Sequence, residues 1–338
     1  MGRNFKRYEK SVRRTIKMTP TSILLKNDQC PGDHLMLTAA VRDLKLQYPD
    51  IRVNVAANGA NADIWKNNPY LDRTITANNA DRVIEAHYPL IQYSDTHPFH
   101  FIHGFRQYLQ SELRLTIPQR GFSVDLHFTE QEKAKPPFQL NTRYWILNAG
   151  GKKDFTNKQW EYDRYQQVVD ALKGEVTFVQ IGYESHWHKH PKLKNVISLV
   201  GKTSLRQALT LIYHSAGVLT GVSFPLLAAS MEGPPERIRT VRPCVCIAGG
   251  REPVQWQQMR GTQFLHTCCM LDCNAKGGCW KSRVLPLYDG KPQDKSLCVH
   301  PVKTGSGQII PMCMDWITVD EVVTAIRRWE TGWKMSNS

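Results

Sequence analysis

One stretch fixes the start of the fold. "SILLKNDQCPGDHLMLTAAVRDLKLQYPDIRVNVAA" (22–57) runs from a short apolar segment through a Pro-Gly turn into a helical pattern and then into an alternating one. Leu37, Ala40, Val41, Leu44 and Tyr48 recur at helical spacing, and Ile51, Val53 and Val55 alternate as in a strand. Strand, helix and strand in such close succession form a βαβ unit, which requires a parallel sheet and a right-handed crossover. Ligands bind such sheets at the carboxyl ends of the strands. The turn "NDQCPGDH" lies at one of these ends, and Asp33 stands in it.

The chain has 338 residues, enough for two domains. "NNPYLDRTI" predicts a turn and another short strand, and residues 84–117 a loop and helix rich in His and aromatics. "EQEKAKPPFQLNTR" (130–143) is polar, carries two prolines, and reads as a linker. The α/β pattern then restarts. "YWILNAGG", "EVTFVQIG", "AGVLTG" and "RPCVCIAGG" are strands, with helices at "EYDRYQQVVDALK" and "LRQALTLIYHS". The tail "TVDEVVTAIRRWETGW" is an amphipathic helix opened by a Thr cap. The boundaries are therefore a basic arm (1–20), a first α/β domain (21–135), a second (141–317) and a C-terminal helix (318–338).

Net charge is +14 with a pI near 9.4, which favours polyanionic partners. Mean hydropathy is −0.43, and no apolar run approaches a membrane span. The first residues lack the apolar core of a secretion signal, so a cytoplasmic protein is expected, peripheral to the inner membrane if its acceptor lies there. Six of nine cysteines fall between Cys268 and Cys313. Outside a secretory context such a cluster predicts a metal site over disulfides. Cys273, Cys279, Cys298 and Cys313 are the expected ligands of one tetrahedral structural zinc or iron, with Cys268 and Cys269 as alternates.

Several stretches resemble glycosyltransferase family 9, the ADP-heptose heptosyltransferases. They are "ILLKNDQCPGDHLML" with the later "NNPYLDRTI", "LNAGGKKDFTNKQWEYDRY", and "NVISLVGKTSLRQALTLIYHSAGVLTG". The resemblance spans roughly residues 22–260 and implies a GT-B fold, two Rossmann-like domains facing each other across a cleft. It implies an acceptor on the first domain, a nucleotide-diphosphate sugar on the second, and a last helix that crosses back to the first. It also implies inverting transfer without a catalytic metal. The chain departs from the family in "TGVSFPLLAAS", which keeps Ser223 and Pro225 but lacks the family's Asp and His. The region 242–313 looks closer to a Cys-rich branch; autotransporter heptosyltransferases, with their Cys-bound iron, are a looser analogy.

Each site residue has two readings. Asp33 is either a helix cap or, as the resemblance implies, the base that deprotonates the acceptor hydroxyl. Lys158 is a surface lysine or the cation that stabilises the departing diphosphate, with Lys152 and Lys153 as substitutes. Gly150, Gly151, Gly182, Lys202, Thr203, Ser204, Ser223, Pro225, Gly250 and Arg251 are the expected donor contacts. Ser204 fits a helix cap equally well. "GKTS" lacks the upstream glycine of a Walker loop, which excludes that ATPase motif. His186, His188 and His190 are expected to flank the nucleobase pocket. His34, His97, His100 and His103 are the expected acceptor contacts.

The acceptor expected first is a saccharide of lipopolysaccharide type. Protein and hydroxymethyl-pyrimidine DNA are alternatives, the latter resting on charge. Self-association into a homo-oligomer is compatible with the sequence. A non-catalytic sugar-nucleotide-binding protein is the alternative from another class.

Overall fold

The structure, a computed structural model, describes residues 20–87, 99–140, 142–234 and 241–336. The basic arm before residue 20 and His97 lie outside the described residues.

The βαβ unit forms as expected. β1 (Ser22–Lys26) pairs in parallel with β2 (Arg52–Ala56) on one side and β3 (Arg82–Glu85) on the other. The crossover is α1 (Pro31–Gln47). This helix is less one-sided than its spacing suggests, because His34 through Val41 are all buried. It is sandwiched among α2 (Phe101–Leu113), the turn Gly59–Trp65 and α6 (Phe224–Ala228), the last belonging to the second domain. "NNPYLDRTI" is mostly turn where a strand is predicted. Asp72 Oδ1 accepts from the Thr74 backbone N–H at 3.0 Å, an Asx turn that leaves only Leu71 bridged to Val53.

The predicted linker is partly helical. α3 (Glu130–Ala134) is capped by Thr129 and followed by the extended chain into β4 (Tyr144–Asn148). The second domain continues with β5 (Gly151–Lys152), α4 (Tyr162–Ala171), β6 (Thr177–Gln180), β7 (His188–Lys189), β8 (Ile197–Ser198) and α5 (Leu205–His214). β9 (Gly217–Gly221), α6, β10 (Cys244–Gly249), α7 (Val254–Gln257) and β11 (Thr262–His266) complete its sheet. The order β11-β10-β9-β4-β6-β8 is parallel throughout. In chain order this is the doubly wound Rossmann arrangement, whose switch point falls between β4 and β9. Next comes the hairpin of β12 (Pro301–Lys303) and β13 (Ile309–Pro311), then α8 (Met312–Asp315) and α9 (Val319–Ser336).

One core runs from the first domain through α1, α5 and α6 onto one face of the large sheet. The second covers the other face with α4, α8 and α9. The expectation that the last helix crosses back to the first domain is corrected here. Val322, Val323 and Ile326 of α9 join Trp145, Trp160 and Val168 in the second domain's core. Glu330 pins the helix there, accepting from Trp145 Nε1 at 2.6 Å and pairing with Arg143. Among the described residues no helix is long and apolar enough to cross a membrane.

Arg206 of α5 latches the halves together. Its guanidinium donates to both oxygens of Glu132, at 2.6 and 2.7 Å, and to the His127 carbonyl at 2.6 Å. Its backbone N–H donates to Asp63 Oδ2 at 3.1 Å. Arg206→Met strands the Glu132 carboxylate and the His127 carbonyl, while the backbone bond to Asp63 remains, and is expected to cost about 2–4 kcal/mol in a urea titration. Hydrogen bonds from Arg206 first, then from Thr129, pull the Glu132 carboxyl from 4.5 to about 2. A depressed carboxylate stabilises the fold fully above its unfolded value, and this contribution is lost as pH falls toward 2. The parent should therefore lose more stability than Arg206→Met between pH 5 and pH 2.

Candidate active site at the interdomain cleft

The Gly-Asp turn is pressed against the second domain. A Cβ on Gly32 would meet Leu227 Cδ1 of α6 at 3.2 Å. Cys30, the residue before α1, accepts a hydrogen bond at its Sγ from Lys152 Nζ of the second domain, 2.9 Å away. Asp33 sits three residues into the turn, half-buried, and its Oδ2 accepts from the Cys30 backbone N–H at 3.0 Å. The carboxylate therefore does cap the helix. Its charge favours the protonated form of Lys158, against the larger effects of burial and of Arg251.

Lys158 ends the tight turn Lys153–Lys158 that leads from β5 toward α4. Burial and then the positive charge of Arg251 push its ammonium well below the usual lysine value, and Asp33 pulls it back. The side chain keeps 27% of its surface in solvent, so water tempers this shift. Its Nζ lies 2.6 Å from Glu252 Oε1. Glu252 also pairs with Arg251 and accepts from Gln257. Sequence reasoning overlooked Glu252, although its position after a strand-end "AGGR" was the available signal.

A small polar group marks the switch point. Thr220 and Ser223 hydroxyls lie 3.0 Å apart, Ser223 Oγ donates to Asn148 Oδ1 at 3.4 Å, and Asn148 Nδ2 donates to the Ile181 carbonyl at 3.1 Å. Pro225 is buried in the first turn of α6. Ser204 caps α5, accepting from Gln207 N–H at 3.1 Å, and Lys202 and Thr203 precede it in an exposed-to-half-buried turn.

Three of the glycines expected at the donor also serve packing. A Cβ on Gly150 or Gly182 would fall 2.2 Å from the His190 ring. The imidazole fills both vacated spaces and its Nε2–H donates to the Tyr183 carbonyl at 3.2 Å. A Cβ on Gly250 would meet Asn274 Nδ2 at 1.9 Å, so this glycine lets the Cys-rich segment close on β10. Gly151 has open space around it. Arg251 is buried beside Glu252, donates to the Lys281 carbonyl at 2.7 Å and lies over the Trp280 ring. It forms a wall rather than an exposed phosphate grip.

Two predicted acceptor contacts are also corrected. His34 is fully buried and its Nδ1 accepts from Trp65 Nε1 at 3.0 Å. His100 caps α2 through Nδ1 and its Nε2–H donates to the Gln258 carbonyl at 2.7 Å, a contact between the domains. Burial lowers both to about 4, so both are neutral structural groups. His103 remains half-buried, with its ring against Phe122.

Cys273, Cys279, Cys298 and Cys313 line one cavity together with Arg251, Lys281 and Asn157. Its volume is about 10 Å³, close to the space one small ion or water needs. Burial raises the thiols of Cys273 and Cys298 and takes Cys313 up to about 12, and the neighbouring thiols add to each shift. Among the described residues no group of three or more His, Cys, Asp or Glu side chains is placed to hold an ion as it stands. Four thiols are the kind of donor set that a structural zinc or iron takes.

No protein-family model and no curated protein sequence matches the chain. Solved structures do. A glycosyl transferase family 9 protein from Veillonella parvula is 13% identical with a TM-score of 0.60, covering 92% of this chain and 97% of its own. The E. coli ADP-heptose LPS heptosyltransferase II is 15% identical with a TM-score of 0.61, over 93% and 99%. The iron-containing dodecameric glycosyltransferase TibC of enterotoxigenic E. coli is 15% identical with a TM-score of 0.61, over 92% and 76%. TibC has also been solved with ADP-D-beta-D-heptose, and the E. coli heptosyltransferase WaaC with ADP. The likeness establishes the fold: the chain has the two-domain GT-B architecture of these enzymes, as the sequence resemblance implied.

Proposed function

We propose that this chain is an inverting glycosyltransferase that moves a sugar, a heptose or a relative of it, from a nucleotide-diphosphate sugar to an acceptor hydroxyl. The carrying observation is that the turn bearing Asp33 is joined to the second domain, by Lys152 Nζ donating to Cys30 Sγ at 2.9 Å, on the side from which the part-buried Lys158 is supplied. Asp33 is the base that takes the acceptor proton, and Lys158 stabilises charge on the departing diphosphate. The ligands of the similar structures support a nucleoside-diphosphate donor. Catalysis in this reading needs no metal ion.

The acceptor is read first as a saccharide. The net charge of +14 suits a phosphorylated one and keeps DNA as the second reading. A thermal-shift panel of nucleotide sugars tests the donor. A donor at 100 times its Kd adds about 2.7 kcal/mol to stability. One member should raise the melting temperature of the parent, and Lys158→Met should abolish that shift. A shift that survives the substitution removes Lys158 from the donor site. With duplex DNA added, a salt-sensitive shift favours the second acceptor reading.

The four-cysteine cavity is read as a structural zinc or iron site that holds the segment 266–313 onto β10. The iron named in the similar TibC supports this reading.

A further inference from the structure

Glu252 sits where a diphosphate-binding lysine should be bare. It follows Arg251 at the carboxyl end of β10, and its side chain is 5% exposed. One oxygen, Oε1, lies 2.6 Å from Lys158 Nζ and also meets Arg251. The other, Oε2, accepts from Gln257 Nε2. A carboxylate so far out of water needs such compensation. Yet a lysine already neutralised by a protein carboxylate attracts a phosphate much less than a bare one does. The two cations and one anion leave a single net positive charge at this point of the cleft.

We infer that Glu252 is a placeholder anion for the donor diphosphate. In the empty cleft it keeps Lys158 and Arg251 in place. When the donor enters, it yields Lys158 to the phosphates and stays on Arg251 and Gln257. The same competition acts on the product. Breaking the glycosidic bond leaves a nucleoside diphosphate more anionic than the esterified donor. An uncompensated Lys158 would hold this product tightly, and product release limits turnover in many enzymes. Glu252 lowers that affinity and so shortens the residence of the product. It is a positioning residue that acts through Lys158. The inference rests on the reading of Lys158 as the diphosphate cation.

The test measures inorganic pyrophosphate binding to the full chain by calorimetry. The proteins compared are the parent, Glu252→Gln, Lys158→Met and the double variant. Glu252→Gln should bind pyrophosphate about tenfold or more tightly than the parent, the scale of one lost charge competitor at a part-buried site. Lys158→Met should lose binding in both backgrounds. In donor turnover, Glu252→Gln should lower KM and kcat together and become more sensitive to inhibition by its nucleoside diphosphate product. Pyrophosphate should also raise the melting temperature of Glu252→Gln by more than it raises the parent's, because it replaces the missing anion. Should Glu252→Gln fail to fold, Glu252→Asp carries the same comparison, since a shorter reach should weaken the hold on Lys158 and tighten pyrophosphate. Binding that needs Lys158 but does not tighten in either Glu252 variant overturns this inference alone. Binding that survives Lys158→Met overturns the Lys158 reading and this inference with it.

Discussion

Asp33→Asn should slow sugar transfer by about 10²–10⁴-fold, the usual contribution of a positioned general base, while donor binding stays near that of the parent. Asp33 holds the cap seen in the structure and, in the proposed reaction, also takes the acceptor proton. Its Oδ2 accepts from the Cys30 N–H at 3.0 Å, and an asparagine oxygen can accept the same bond. Capping is thereby kept while basicity is removed. Asp33→Ala removes both, and should lose a further roughly 1 kcal/mol of stability, as lost caps do. Steady-state rates on the pair, read beside their melting temperatures, separate the two tasks. Turnover by Asp33→Asn equal to the parent's would leave Asp33 a cap only.

The largest expected effect on stability belongs to the cysteine cavity. Purified protein should carry close to one zinc or iron per chain by elemental analysis, and Cys279→Ser should carry far less. Stripping the ion should cost several kcal/mol, because the segment it closes has little core of its own. Met270, Leu285, Leu287, Tyr288 and Val299 are all exposed there. The melting should be local at first. Arg283 is fully buried among Asp154, Asp289 and Asp294, and this cluster anchors the middle of the segment without the ion. The thiols must shed protons to bind metal, and burial has raised them, Cys313 to about 12. Apparent metal affinity should therefore climb with pH and fall steeply in mild acid. Folded protein free of both metals would end the claim.

Reading from sequence worked for the elements with a strong local period, and missed at "NNPYLDRTI", where the Asx turn at Asp72 displaces the strand. The apolar alternation of Ile51, Val53 and Val55 and the helical spacing of Leu37 to Leu44 depend on neighbours along the chain, and both elements formed where expected. The other failures share a cause. His34 stands beside the candidate base Asp33, and His100 lies in a stretch rich in His and aromatics that suggests a lined pocket, so both read as acceptor contacts. Whether such a ring meets solvent or an indole N–H is decided by a residue 31 positions away, Trp65 for His34, and 158 away, Gln258 for His100. Gly150 and Gly182 needed their missing Cβ atoms for His190, which no local pattern announces. The last helix stayed on its own domain because Glu330 found Arg143 and Trp145.

The opening turn marks the boundary between the two kinds of knowledge. Sequence alone determined that Asp33 stands at the carboxyl end of a parallel strand, since Pro31, Gly32 and the flanking periodicities allow little else. It could not decide what the carboxylate faces. Packing of α1 against α6 did that, by setting the Gly-Asp turn against Leu227 and beside Lys152. It also decided that Glu252 holds Lys158 in the meantime. Periodicity acts over a few residues and survives in any context. Electrostatic partnership acts through space, and only the closed fold brings Lys152 to Cys30 and Glu252 to Lys158.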